Sequence, residues 1–238
     1  MSDKGDATVS VIIPALNEAA AVAAAVESAL EQHADEVIVV DGGSRDATIE
    51  TAERAGARVL SSSAGRARQQ NAGAEAAGGE MLVFLHADNR LGADPTGRTC
   101  LEQLREAAAG DRGLWGAFRH RIESARWGFR VIEWGDSRRV RWRGIPFGDQ
   151  GIFVPRSRFW ATGGFPDQPL MEDVLLAKRL RRQRWPRLLA GPVYSSARRW
   201  EKHGIVRQTA RNWTLQLAHA GGASPERLAE FYRRHDQA

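Results

Sequence analysis

From residue 9 to residue 88 short apolar runs alternate with helix-like segments, and that alternation leaves the chain few folds to choose from. "VSVIIPALNE" (9–18) is a near-continuous apolar run ended by Pro14, the pattern of a strand buried on both faces of a parallel sheet. "EAAAVAAAVESALEQ" follows with the alanine-rich composition of a helix. A second strand, 37–40, ends in Asp41 and a Gly-Gly turn; "TIETAERAG" is a helix closed by Gly56. "ARVLSS" reads as a third strand, "GRARQQNAGAEAAGG" as a third helix and "EMLVFLHAD" as a fourth strand. The pattern predicts an α/β, doubly wound, mostly parallel sheet with helices on both faces.

In such sheets ligands bind beyond the carboxyl ends of the strands. The residues there are Pro14 to Glu18, Asp41, and the His86 and Asp88 of "VFLHADNR" (83–90). Asp and Asn are ordinary turn residues, so Asp88 alone proves little. Three strand ends converging on polar groups is a stronger signal. There is no G-x-G-x-x-G after the first strand and no G-x-x-x-x-G-K-[ST], so neither a dinucleotide fingerprint nor a P-loop is present. A nucleotide bound here needs another way to hold its diphosphate, and a divalent cation on a strand-end carboxylate supplies one.

The net charge of +5 hides an asymmetry. Residues 1–95 carry 7 basic and 15 acidic side chains, a net of −8; residues 96–238 carry 27 and 14, a net of +13, and all eight tryptophans. No repeat or linker divides the chain, so 1–238 reads as one domain with halves 8–95 and 96–238. A single cysteine, Cys100, excludes an internal disulfide. The polar start and the lack of any run of about 20 apolar residues predict a cytoplasmic protein without a spanning helix.

In the second half, "GDQG" is a polar tight turn before the strand "GIFVP", and "GGFPDQP" is a loop shaped by two glycines and two prolines. "MEDVLLAKRLRR" opens a helix at Glu172–Asp173. Acidic residues there complement a helix dipole, and from spacing alone that is the leading reading of the pair. Between the halves, residues 119–144 hold eight arginines with Trp127, Trp134 and Trp142. Three readings stand: an insertion covering the acceptor crevice with solvated arginines, a contact with an anionic membrane, and, last, nucleic-acid binding.

"VSVIIPALNE", "VIVVDGGSRDAT", "GRARQQNAGAEAAGGEMLVFLHAD", "FGDQGIFV", "GGFPDQPLMEDVLLAKRLRR" and "SSARRW", in this order, resemble the family 2 glycosyltransferases of the GT-A fold. The pattern is nearest to a small bacterial subfamily found beside radical-SAM and selenoprotein-associated genes. The resemblance runs from about residue 8 to about residue 235. It implies an inverting transfer of sugar from a nucleotide-diphosphate sugar to an acceptor hydroxyl, lipid-borne or soluble, with Mn²⁺ or Mg²⁺. Pro14, Ala15, Leu16 and Glu18 then line the base and ribose, Asp41 accepts hydrogen bonds from them, and Arg66 meets base or phosphates. Asp88 matches the second carboxylate of the D-x-D metal motif. Asp173 matches the base, with Glu172 tuning it or orienting the acceptor. Asp149 and Gln150 either bind acceptor or sugar hydroxyls or form a structural turn. Arg198 and Arg199 neutralise the diphosphate, Trp200 stacks on a sugar, and His203 is a second candidate metal ligand beside Asp88.

Two departures stand out. His86 occupies the position of the first D-x-D carboxylate, and Gly42 follows Asp41 where many relatives have a second Asp. Imidazole can ligate Mn²⁺ or donate to a phosphate, but it does not supply the missing negative charge. A nucleotidyltransferase on a similar sheet is the competing enzyme, although "PALNE" has no basic residue for phosphates. A nucleic-acid-binding module is the competitor from another class. The acidic cluster of Glu18, Asp41 and Asp88 opposes it, so no nucleic-acid partner is expected.

Overall fold

The computed structural model describes residues 6–197 together with Thr214, Ala218 and Ser224. Among them one sheet contains β1 (Val9–Ala15), β2 (Glu36–Asp41), β3 (Arg58–Ser61), β4 (Met81–Phe84), β5 (Asn89–Leu91), β6 (Gly116–Glu123), β7 (Ile152–Pro155) and β8 (Arg187–Ser196). The helices are α1 (Val22–Glu31), α2 (Thr48–Arg54), α3 (Arg66–Ala76), α4 (Cys100–Gly110), α5 (Gly128–Arg143), α6 (Arg156–Ala161) and α7 (Glu172–Gln183).

The strand order is β3-β2-β1-β4-β7-β6-β8-β5. β3, β2, β1 and β4 are parallel neighbours, as the alternation predicts. Beyond them β7 is antiparallel to both β4 and β6, β8 is parallel to β6, and β5 is antiparallel to β8. The sheet is thus mixed and mostly parallel, and it runs without interruption through both halves of the chain.

β1 shows why the run at 9–15 has no polar alternation. Val9, Val11, Ile13 and Ala15 pack with residues of α1, α2 and α4, whereas Ile12 packs with residues of α3, α6 and α7. Burial on both faces is what a covered parallel strand requires. α3 lies very close to β1: a Cβ on Gly73 would fall 2.5 Å from Ile12 Cγ2, so the helix needs a glycine there.

Two expectations are corrected. Pro14 does not end the first strand; it stays in register with Val40, and Ala15 with Asp41, because extended backbone suits its fixed φ. Residues 119–144 are not an insertion. They supply β6, an inner strand between β7 and β8, and α5, packed on β6 and β8 through Phe129, Ile122 and Ala197. No helix among the described residues is long and apolar enough to cross a membrane.

Candidate active site

The carboxyl ends of β1 and β2 are tied together by a residue that motif reading overlooked. Gln69 of α3, almost fully buried, donates from Nε2 to the Ala15 and Val40 carbonyls, both at 2.8 Å. Gly42 faces the same amide: a Cβ there would lie 3.0–3.2 Å from its atoms, so a larger residue would crowd it. The buried Asp41 carboxylate accepts from the Gly43 amide at 2.8 Å and the Ser44 amide at 3.0 Å, shaping the turn after β2. Asn17, at φ 56°, joins the two loops: its amide donates to Ser44 Oγ and its Oδ1 accepts from the Arg45 amide, both at 2.8 Å. The Glu18 amide donates to Thr48 Oγ1 at 2.8 Å. Leu16 stands exposed at the lip. The residues 14–18 and 41–48 therefore form one wall, built by Asp41 together with uncharged side chains that are easily overlooked.

His86 and Asp88, both half-buried, sit in the turn between β4 and β5, closed by the Asn89 amide donating to the His86 carbonyl at 3.0 Å. Asn89 Nδ2 in turn donates to the Asp149 carbonyl at 3.0 Å, which fixes the "GDQG" turn beside this strand end.

Asp173 arrives from the other direction, in the first turn of α7. The preceding Met171 adopts φ 65°, turning the chain sharply out of the "GGFPDQP" loop. Asp173 Oδ2 accepts the Gly148 amide at 2.7 Å and Oδ1 the Val174 amide at 2.7 Å. A Cβ on Gly148 would fall 2.6 Å from His86 Nε2 and 3.5 Å from Asp173 Oδ2. Gly148 is the point where the strand-end imidazole and the helix-start carboxylate meet, and its missing side chain leaves room for both.

Glu172, next to Asp173 in the chain, finds its partner on α3. It is 1% exposed and pairs with Arg66 at 3.3 Å, linking the starts of α3 and α7. Burial pushes its pKa up, Arg66 pulls it back and Asp173 pushes it up again, leaving it above the usual carboxylate value. The structure thus places Glu172, expected to tune Asp173 or to orient the acceptor, beside Asp173 and in an ion pair with Arg66. Arg66, exposed at the start of α3, reaches Glu172 from the solvent side.

The "GDQG" turn divides in the same way. Gln150 is fully buried; its Oε1 accepts from Arg139 Nη2 at 2.7 Å and the Phe147 amide at 3.2 Å, and its Nε2 donates to the Phe118 carbonyl at 3.4 Å. With its amide bonded inside the protein, Gln150 holds the turn to α5 and β6, which favours the structural of its two expected roles. Asp149 keeps a buried Oδ1 with no hydrogen-bond partner among the described residues. Burial raises its pKa, partly offset by His120 and Arg139. Behind it His120 contacts Asp136 at 3.1 Å and Ser195 Oγ at 2.6 Å, and Arg139 pairs with Asp136 at 2.6 Å while stacking on Phe147. Sequence reading missed this network because each member is an ordinary polar residue in a helix or strand.

For a divalent cation the donor set fits one arrangement. Among the described residues no three His, Cys, Asp or Glu side chains cluster as a metal cage. Mg²⁺ and Mn²⁺ bound with nucleotides need one or two carboxylates and take the remaining oxygens from phosphate and water. Asp88 supplies a half-buried carboxylate of that kind at the strand end. Arg198, Arg199, Trp200 and His203 lie outside the described residues. Cys100 is buried, its thiol pushed up to about 12 by desolvation, and it offers no nucleophile.

The family model of "Glycosyl transferase family 2" matches residues 10–155, more than half of the chain. Among solved structures, Staphylococcus aureus TarS (residues 1–349) superposes with a TM-score of 0.59 at 19% identity, covering 80% of this chain and 60% of that one. The same protein in complex with UDP-GlcNAc gives 0.59 at 19% identity, over 79% of this chain and 58% of that one. Glucosyl-3-phosphoglycerate synthase from Mycobacterium tuberculosis, in complex with Mg²⁺ and UDP, gives 0.55 at 20% identity, covering 80% of this chain and 70% of that one. The chain therefore spans about 60% of the TarS structure's length. At these identities the likeness speaks for the fold. No curated protein matches the chain.

Proposed function

The chain belongs to glycosyl transferase family 2, and we propose that it moves a sugar from a nucleotide-diphosphate sugar to an acceptor hydroxyl with inversion at the anomeric carbon. The observation that carries this reading is the placement of Asp173 across Gly148 from His86, at the carboxyl ends of the strands. A carboxylate has about four lone-pair positions. Two are taken by the Gly148 and Val174 amides, which fix the group and leave each oxygen able to accept a proton.

In the reaction Asp173 takes the proton of the acceptor hydroxyl as its oxygen bonds to the anomeric carbon. The bond from that carbon to the diphosphate breaks, and the electron pair leaves with the phosphate oxygen. Loss of a positioned base typically costs about 10²–10⁴ in rate. Asp88 would hold the divalent cation, which when bound supplies positive charge to the diphosphate. Base and ribose lie against the wall formed by Pro14, Ala15, Leu16, Glu18 and Asp41. Arg198 and Arg199 are the proposed diphosphate contacts, Trp200 the sugar platform and His203 the second metal ligand. The solved relatives in complex with UDP-GlcNAc and with UDP and Mg²⁺ make a uridine nucleotide the first donor class to test.

The test is a melting-temperature panel of UDP-glucose, UDP-GlcNAc and GDP-mannose with Mg²⁺ or Mn²⁺. A ligand bound to the native state at about 100 times its Kd stabilises by about 2.7 kcal/mol. At least one donor raises the melting temperature while free sugars do not. A flat panel at millimolar donor overturns the reading.

A further inference from the structure

Helix α5 buries charged residues beside Phe129 and Val140 while it exposes aromatic ones. Its buried side carries Glu133 and Phe129, with Asp136 and Arg139 partly covered, and the polar members are satisfied there. Glu133 Oε1 accepts the Ile122 amide at 2.7 Å, and Asp136 pairs with His120 and Arg139. The opposite side carries Trp127, Val131, Trp134 and Trp142, which are 80%, 55%, 60% and 69% exposed. With Arg138 these residues fall at successive steps of four, three, four and four, a single stripe on a helix of 3.6 residues per turn. The Arg138 guanidinium lies over both the Trp134 ring at 4.5 Å and the Trp142 ring at 3.6 Å, and has no ion pair among the described residues. Trp185, half exposed, extends the stripe past the helix end, where its Nε1 donates to the Arg141 carbonyl at 3.1 Å.

Exposing four tryptophans in one patch costs solvation unless something covers them. The charge around the patch points to the cover. Arg141 and Arg143 are exposed in the last turn of the helix and Arg126 just before its start, while its two acidic residues, Glu133 and Asp136, are held in ion pairs on the inner side. A second copy placed face to face would set arginine against arginine. An anionic bilayer satisfies both features: indole rings settle at the headgroup level, and arginines meet lipid phosphates.

We infer that α5 docks this protein on an anionic phospholipid surface, with Trp127, Trp134 and Trp142 in the interface and the arginines on the headgroups. The inference rests on the burial and charge of α5 and not on the catalytic reading. Its consequence for that reading is geometric. Arg139, on the inner side of the same helix, holds Gln150, so the docked helix carries the "GDQG" turn with it.

The test is co-sedimentation of the whole protein with vesicles of phosphatidylcholine alone or with one-third phosphatidylglycerol. Wild type pellets with the anionic vesicles, weakly with neutral ones, and less in high salt. A W127A/W142A double variant keeps its melting temperature, since both side chains are exposed, and loses at least tenfold in partitioning. R141E/R143E, which leaves the tryptophans in place, loses binding to anionic vesicles alone. Absence of wild-type binding at low salt overturns the inference, as does binding indifferent to both variants. A dimer in analytical ultracentrifugation that W127A/W142A abolishes, without vesicle binding, gives the face to a second copy instead. Protection of these tryptophans from acrylamide quenching in the free protein gives it to another segment of this chain.

Discussion

Asp173 accepts the Gly148 amide at 2.7 Å, so the first turn of α7 and the turn before β7 hold a single carboxylate between them. A carboxylate serving only the helix dipole needs no such second anchor, since solvent and its own helix amides would suffice. The anchor fixes the direction in which the remaining lone pairs point, which is what a base requires.

Asp173→Asn keeps the shape and one acceptor oxygen but removes basicity. Donor affinity stays near wild type while transfer falls by about 10²-fold or more. Stability drops by about 1 kcal/mol for the weakened amide contact. Isothermal titration with the donor, thermal melting and a transfer assay separate the three effects. Near-normal transfer would remove Asp173 from the base role.

Gly148→Ala tests whether the meeting point needs its empty space. The added methyl would fall 2.6 Å from His86 Nε2, so the ring must move. Overpacking of this kind costs about 1–3 kcal/mol. Adding His86→Ala should restore most of the lost stability, because the clash then has no partner. A stability loss that the second substitution leaves untouched places the strain in the backbone of the turn instead.

How much of this was legible follows from what each residue shows in sequence. The β1–β4 half was readable because covered parallel strands are apolar on both faces and their helices are alanine-rich. Gly56, at φ 98° just past α2, behaved as the helix-ending glycine that its place suggests. The other half was less readable. β6 alternates buried and exposed residues through "FRHRIE", and α5 buries its charges, so arginine content suggested a solvated cover where the chain builds sheet and helix. Asp41, Asp88 and Asp173 could be named as candidates because strand ends and motif order mark them. Gln69, Asn89 and Arg139 could not, since a buried strut is defined by what lies opposite it in space.

Gln69→Leu removes the donor that satisfies the Ala15 and Val40 carbonyls. Leaving buried polar groups unpaired costs about 1–3 kcal/mol for each. Urea denaturation should show a loss of a few kcal/mol, and nucleotide affinity should fall as well, because those carbonyls set the wall at residues 14–18 and 41–48. Unchanged stability would mean that water replaces the amide without cost.

Asp88→Ala should remove the cation dependence of nucleotide binding. In wild type, calorimetry with UDP in Mg²⁺ or Mn²⁺ gives tighter binding than in EDTA; in the variant the two converge on the weaker value. Equal wild-type affinity with and without EDTA would take the metal out of the proposed mechanism.

The buried His120 links stability to pH. Burial works against its charge, but Asp149 of the turn and Asp136 and Glu133 of α5 outweigh it, raising its pKa above 6.5. Arg139 and Ser195 complete its surroundings, Arg139 by pairing with Asp136. A base whose pKa rises on folding stabilises the native state fully below its unfolded value, and that contribution disappears as pH climbs through the folded value. Asp136 shifts downward: burial opposes ionisation, and the His120 contact and Arg139 overcome it. Its contribution is present above the unfolded value of 3.8 and is lost as pH falls through the folded one. His120→Gln should therefore destabilise the protein most below pH 6.5, with the gap to wild type narrowing as pH rises through the folded value. The gap between wild type and Asp136→Asn should instead narrow as pH falls through the folded Asp136 value. Urea titrations of the three proteins across pH measure both slopes, and a His120→Gln gap that stays constant with pH would mean that folding leaves the His120 pKa unchanged.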